Sequence, residues 1–178
     1  MKHTMESKIF LTADTHFGHQ KMLEERTEFS SVAEMDECLI DNWNEIVRPH
    51  DTVLHLGDFT LSKNPEKYKR KLNGHIYLVP GNHDEPGRLV KCGFAGIMSP
   101  IWEVRIVDHE GTTWPVVNCH YPMWSWPKRA YGSLHFFGHT HTKHNARPST
   151  LSLNVGVDNN DYEPVNFTDA VRRAMVLL

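Results

Sequence analysis

Residues 9–16, Ile9-Phe-Leu-Thr-Ala-Asp14-Thr-His16, decide how the rest of the chain is read. Five apolar or small residues, Ile9 to Ala13, make a short buried strand, and the run stops at a carboxylate followed by an imidazole. The pattern returns. Thr52-Val-Leu-His-Leu56 runs into Gly57-Asp58, and Ile76 to Val79 runs into Pro80-Gly81-Asn82-His83. Between the first two strands, Val32, Met35, Leu39, Trp43, Ile46 and Val47 recur at helical spacing. That spacing predicts a helix over Val32 to Val47, capped by a serine of the Ser30-Ser31 pair and stopped by Pro49. A short helix is expected over Glu66 to Leu72.

The second half is richer in strands. Val104 to Val107, Trp114 to Cys119, Leu134 to Phe137 and Leu151 to Val155 are expected to be extended, with turns at Glu110-Gly111 and Arg147-Pro148. Thr168 is expected to cap a last helix from Asp169 to about Met175. Strands alternating with helices, followed by clustered strands, give an α/β fold of two packed sheets flanked by helices. No repeat or linker divides the 178 residues, so one domain over residues 1–178 is expected.

Composition excludes several classes. The formal net charge of −3 gives no field for tracking long duplex nucleic acid. No apolar run approaches the ~20 residues that cross a bilayer. Met1 to Phe10 lacks the pattern of a secretory signal. Cys38, Cys92 and Cys119 are odd in number and form no CxxC, which fits reduced thiols in a cytoplasm. Thirteen histidines against five tyrosines is the unusual count. They run from His3 to His144, too spread for a tag, and histidine is the commonest transition-metal ligand.

The positions of the metal-capable residues carry the functional reading. Asp14 and His16 follow one strand, Asp58 a second, and Asn82 and His83 a third. His120 ends a later strand, and His139 and His141 follow another. In open α/β sheets the carboxyl ends of strands turn their loops toward one crevice. Asp14-Thr-His16 and His139-Thr-His141 each place alternate side chains on one side of an extended segment. Eight such residues exceed one tetrahedral ion, and closed structural zinc sites use four close-spaced Cys or His. Two ions sharing a carboxylate would use seven of them. Such a pair, ~3.5–4 Å apart, holds the attacking and leaving oxygens of a phosphate displacement.

Asp14-Thr-His16, Gly57-Asp58, Gly81-Asn82-His83-Asp84, Cys119-His120 and Gly138-His139-Thr-His141 resemble, in order, the motif series of the calcineurin-like metallophosphoesterases. Asn73-Gly-His-Ile-Tyr-Leu and Asn154-Val-Gly-Val-Asp158 are similar to the compact bacterial and phage members. The resemblance spans Ile9 to about Asp158 and implies the metallophosphoesterase-like sandwich of two sheets between helices. It also implies roles. Asp14, His16 and His141 would bind one ion, Asn82, His120 and His139 the other, and Asp58 would bridge. A hydroxide between the ions would attack in line, with His83 protonating the leaving oxygen and Asp84 orienting that imidazole. Two divalent cations are implied, manganese ahead of iron, nickel or zinc. Where protein phosphatases of this family carry Gly-Asp-x-Val-Asp-Arg-Gly, this chain has Gly57-Asp58-Phe-Thr-Leu-Ser62 and lacks the phosphate-gripping arginine. That argues against phosphoprotein substrates.

Other residues have plainer readings. His55 alternates with Leu54 and Leu56 and reads as structural; His75, His109 and His144 read as solvated, and Cys119 as packing. His19 is as readily a phosphate contact as a surface histidine. Tyr121-Pro-Met-Trp-Ser-Trp-Pro-Lys-Arg-Ala-Tyr131 follows ligand His120. Trp124, Trp126 and Tyr131 would stack a base with Lys128 and Arg129 on phosphate, or else pack the loop onto the domain. The expected substrate is a small phosphate ester, a nucleotide-like diester ahead of a monoester, with no membrane or obligatory protein partner. A scaffold that binds metal without turnover is the remaining reading.

Overall fold

Ser31 opens the long helix α1 (Val32–Ile46), where its side chain accepts the Glu34 amide at 3.2 Å. The Glu34 carboxylate reaches back to the Ser30 amide at 2.8 Å, so donors at the helix start are satisfied reciprocally. In the computed structural model, which describes residues 7–141 and 150–176, this helix buries Met35, Leu39 and Trp43 against a five-stranded sheet. His3, His144 and the turn expected at Arg147-Pro148 lie outside the described residues.

That sheet contains β1 (Ile9–Thr12), β2 (Thr52–His55), β3 (His75–Leu78), β4 (Gly96–Ile97) and β9 (Val165–Asn166), in the order β4-β3-β2-β1-β9. The first four run parallel and β9 antiparallel. The second sheet holds β5 (Ile101–Val107), β6 (Thr113–Cys119), β7 (Leu134–Phe137) and β8 (Ser152–Asn154) in chain order. Strand β5 pairs antiparallel through a hairpin; β6, β7 and β8 are parallel. In the hairpin turn Asp108 Oδ1 accepts the amides of Glu110 and Thr112, both at 2.9 Å.

Alternation along the central strands builds two cores. Phe10, Val53 and Ile76 face α1, whereas Leu11 and Leu54 meet Val116, Leu134, Phe136 and Leu153 of the second sheet. The last helix, α4 (Phe167–Met175), adds Phe167, Ala170 and Ala174 to that inter-sheet core. The fold is α/β, two mixed sheets packed together and flanked by helices. Among the described residues, no helix is long and apolar enough to cross a membrane.

Several edges differ from expectation. Helix α4 starts two residues earlier, and Asn166, not Thr168, is its cap, accepting the Thr168 amide at 3.0 Å. The Thr168 hydroxyl bonds His109 Nδ1 instead (3.1 Å). Helix α2 (Glu66–Lys69) ends short of Leu72, and α3 (Pro86–Leu89), β4 and β9 were not expected. Two-residue strands have no period to read.

Strand β7 also buries a histidine outside the rim. His135 Nδ1–H donates to Val117 O at 3.0 Å, and Nε2 accepts the Met123 amide at 3.1 Å, which requires the neutral ring. Burial, against the pull of the Val117 and Tyr121 backbone contacts, lowers its pKa to about 4. The folded value lies below the unfolded one, so this stabilisation is whole above pH ~6.5 and is lost as pH falls toward 4. It is worth on the order of 3 kcal/mol. We expect the melting temperature to fall across that window, and His135→Asn to flatten the fall. An unchanged slope in the variant would remove His135 from the acid response.

Candidate metal centre

The carboxyl ends of both parallel strand sets meet at one rim. Asp14, Asp58 and Asn82 follow β1, β2 and β3, while His120, His139 and Asp158 follow β6, β7 and β8. Backbone bonds lock the loops together. The Asp14 amide donates to Gly57 O and the His16 amide to Asp58 O, both at 3.0 Å; the Gly138 amide donates to His120 O at 2.9 Å. Across the sheets, the His139 amide donates to the Asp14 carboxylate at 2.9 and 3.1 Å. Asp14, His16, Asp58, His139 and His141 all hold positive φ, between 45° and 70°. Left-handed backbone costs a non-glycine residue roughly 1 kcal/mol or more, and it gathers at five residues of one site.

The side chains form two groups. Ligand atoms of Asp14, His16 and His141 lie within 4.8 Å of one another, as do those of Asp58, His120 and His139. Asp58 Oδ2 stands between them, 3.6 Å from His16 Nε2 and 3.4 Å from His120 Nε2. Asn82 Oδ1 joins the second group, 3.0 Å from His120 Nε2.

The donor set fits divalent cations. His120 Nδ1 must carry its proton, because it donates to Leu56 O at 2.8 Å. Its Nε2 then meets two oxygen acceptors, an arrangement that a cation between them resolves. His141 likewise donates Nδ1–H to Asp158 Oδ2 at 2.6 Å, leaving Nε2 for the first group. His16 is 2% exposed and neither ring nitrogen has a hydrogen-bond partner. Burial drives its pKa down to about 2, so this neutral, orphaned ring suits a metal ligand. Burial also pushes Asp14 up to about 7, against the opposing pull of His120 and His141. At Asp58 burial acts the same way, but the hydrogen bond and charge of His120 and the His83 amide outweigh it and hold the carboxyl well below its usual range. Glycines make the closeness possible. A Cβ on Gly138 would sit 2.5 Å from both Asp14 Oδ2 and Ala13 Cβ.

His83 lies on the open side of the rim, its side chain 42% exposed and Nε2 4.0 Å from Asp58 Oδ2. His16 and His19 stand 5.4 and 6.0 Å from it, centroid to centroid. His19 thus joins the rim. Asp84 does not orient His83. Its carboxylate accepts the amides of Asp58 (2.7 Å), Phe59 (3.0 Å) and Gly81 (2.9 Å), because the loops after β2 and β3 leave three N–H groups pointing at one place.

The loop after His120 divides. Trp126 is buried, donates Nε1–H to Ser133 O at 2.9 Å and packs on His135, so it holds the loop down and offers no face to a base. Lys128 and Arg129, expected on phosphate, are engaged elsewhere. Lys128 pairs with Glu103 at 3.1 Å, and the Arg129 guanidinium lies 5.1 Å from the centre of the Trp126 ring. Trp124 and Tyr131 stay 81% and 87% exposed. Tyr121, which carried no expectation as a site residue, stands edge-on to His120 and His139, with centroids 5.0 and 4.7 Å away. His55 is structural as expected, buried with Nε2 3.0 Å from Thr15 Oγ1. Sequence reading missed Arg26 altogether. Asp158, noticed only as part of a motif, takes both His141 and Arg26.

The profile of the calcineurin-like phosphoesterase superfamily domain matches residues 8–163. MJ1445, an uncharacterized protein of Methanocaldococcus jannaschii, is 34% identical over 169 residues, which cover 89% of this chain and 86% of the relative. The gene 66 protein of Mycobacterium phage L5 is 25% identical, with 85% and 87% covered. Among solved structures, the Aquifex aeolicus protein AQ665, of unknown function, superposes with a TM-score of 0.72 at 23% identity, over 92% of this chain and 97% of its own. With its motifs gathered at one rim and the profile matched over most of its length, this chain belongs to the calcineurin-like phosphoesterase superfamily.

Proposed function

We propose that the protein is a phosphodiesterase that depends on two divalent metal ions and acts on a nucleotide-like substrate. The observation that carries the reading is the pair of ligand groups with Asp58 Oδ2 between them. Asp14, His16 and His141 would hold one ion, Asn82, His120 and His139 the other, and Asp58 both. When bound, such ions supply a water of lowered pKa and neutralise charge on the phosphate; manganese suits the mixed N and O donors. The chain's own residues do the rest. His83, anchored by its amide to Asp58 Oδ1 at 2.9 Å, protonates the leaving oxygen, and His19 adds a donor beside it.

The diester preference has a charge argument. A terminal phosphate carries close to two negative charges and a diester one. Among the described residues three cations are engaged: Arg26 with Asp158, Arg88 with Glu85, Lys128 with Glu103. With those groups tied up, the singly charged ester is the better match. Tyr121 stands against His139 of the second group, and Trp124, exposed three residues further along the same loop, would offer a face for a base. The same reading takes the chain as one catalytic domain, in a cytoplasm that keeps Cys38, Cys92 and Cys119 as free thiols.

The test is hydrolysis of paired chromogenic mono- and diesters by metal-stripped protein, before and after Mn addition. Metal-dependent turnover favouring the diester is expected. Bound metal without turnover of either ester would leave a scaffold. Trp124→Ala is expected to raise KM for a dinucleotide about tenfold, the worth of one stacked base, without moving stability. An unchanged KM would sink the nucleotide assignment and leave the hydrolase standing.

A further inference from the structure

Arg26 is 1% exposed, and its guanidinium is turned entirely into the protein. Nε and Nη2 clasp Asp158 Oδ1 and Oδ2 at 2.7 and 3.0 Å. Nη2 also donates to Asp14 O at 2.7 Å, and Nη1 to Thr15 O at 3.2 Å. The Tyr162 ring centre lies 5.5 Å from the guanidinium carbon. A buried guanidinium is tolerated only when paired and hydrogen-bonded, and apart from a contact of Nη1 with Met35 Sδ at 3.5 Å every acceptor belongs to one half of the site. The Asp14 and Thr15 carbonyls carry the chain through the left-handed turn that aims Asp14 and His16. Asp158 takes the Nδ1–H of His141 and so directs Nε2 inward. One cation therefore braces Asp14, His16 and His141 together.

The other group hangs on different supports. The Asp84 carboxylate gathers the amides of Asp58, Phe59 and Gly81, which set Asp58 and the start of the Asn82 loop. His120 is oriented by Leu56 O. The acceptors of Arg26 and the donors to Asp84 are different residues on different strand ends.

We infer that Arg26 and Asp158 are the positioning residues of one divalent-cation site, which can be weakened without the other, while Asp84 positions the shared Asp58. The inference rests on the two-ion reading above. Arg26 acts through Asp158 and the backbone and touches no substrate. The Asp158 carboxylate raises the basicity of the His141 ring, whereas the Arg26 charge opposes that, so Arg26 serves by fixing where Asp158 stands.

The test measures ion uptake and not turnover. Wild type, Arg26→Met, Arg26→Lys, Asp158→Asn and Asp84→Asn are titrated with Mn by calorimetry and with Co by visible absorption. Arg26→Met and Asp158→Asn are expected to weaken one ion at least tenfold and remove its share of the Co spectrum, with the second ion held as in wild type. Arg26→Lys, which keeps charge but cannot span these acceptors, should behave like Arg26→Met. Asp84→Asn, which loosens the shared Asp58, should weaken both ions. Two ions bound at wild-type affinity in Arg26→Met and Asp158→Asn, or both ions lost together, would overturn the inference. Should Arg26→Met fail to fold, Asp158→Asn decides alone, since it keeps the side-chain volume and one oxygen for His141, while its NH2 set against Arg26 Nε–H loosens the brace. The two-ion reading is judged on the wild type, where uptake of a single ion would end it; the anchoring is judged on the variants.

Discussion

Gly81→Ala is expected to remove most activity and metal affinity by adding a single methyl group. A Cβ at Gly81 would lie 2.3 Å from Asp58 Oδ1 and 2.6 Å from the Asp58 amide nitrogen. Neither side can withdraw cheaply. The amides of Gly81 and Asp58 both donate to the same Oδ2 of Asp84, and Asp58 holds a φ of 56°. Overpacking of this kind costs about 1–3 kcal/mol. Relief requires the Asp58 carboxylate to swing away from its place between His16 and His120, and a displacement of ~1 Å in a reacting site costs about 10²-fold in rate. Gly87→Ala is the control, because nothing lies within 4 Å of a Cβ there. It should leave stability within ~0.5 kcal/mol and turnover unchanged. Wild-type metal uptake and turnover in Gly81→Ala would mean that Asp58 is not the shared ligand.

His83→Ala is expected to lower turnover roughly 10²–10⁴-fold with both ions still bound. His83 belongs to neither ligand group, and its side chain is 42% exposed, so metal uptake and melting temperature should hold. The role assigned to it gives a sharper signature than the size of the loss. An acid matters in proportion to the basicity of the oxygen that leaves. The deficit should be small for a diester releasing nitrophenol and large for one releasing an alkyl or sugar alcohol. A loss of equal size for both leaving groups would make His83 a phosphate-binding residue and not the acid.

Much of this site was legible in the chain because its signals are local. A buried strand needs only a short apolar run, and each run here stops at a metal-capable residue: Ala13 before Asp14, Gly57 before Asp58, Gly138 before His139. Those motifs were enough to expect two sheets, a seven-residue ligand set and the structural role of His55. Edges were less legible. Strands β4 and β9 are two residues each, and their pairing partners, not their own composition, make them strands.

What the sequence by itself determined was the alternation of strands and helices and the ligand-bearing turns that end the strands, because backbone period and residue type are properties of neighbours in the chain. What only the tertiary structure decided was every relation between distant segments. Arg26 lies 132 residues from Asp158, so their ion pair has no local signature. Asp84 adjoins His83 in sequence, yet its carboxylate turns to Asp58 and Phe59 on another strand end. Trp124 and Trp126, two residues apart in one loop, end respectively exposed and buried. Burial depends on what the remainder of the chain brings against a residue, and that is settled by the packing of the two sheets.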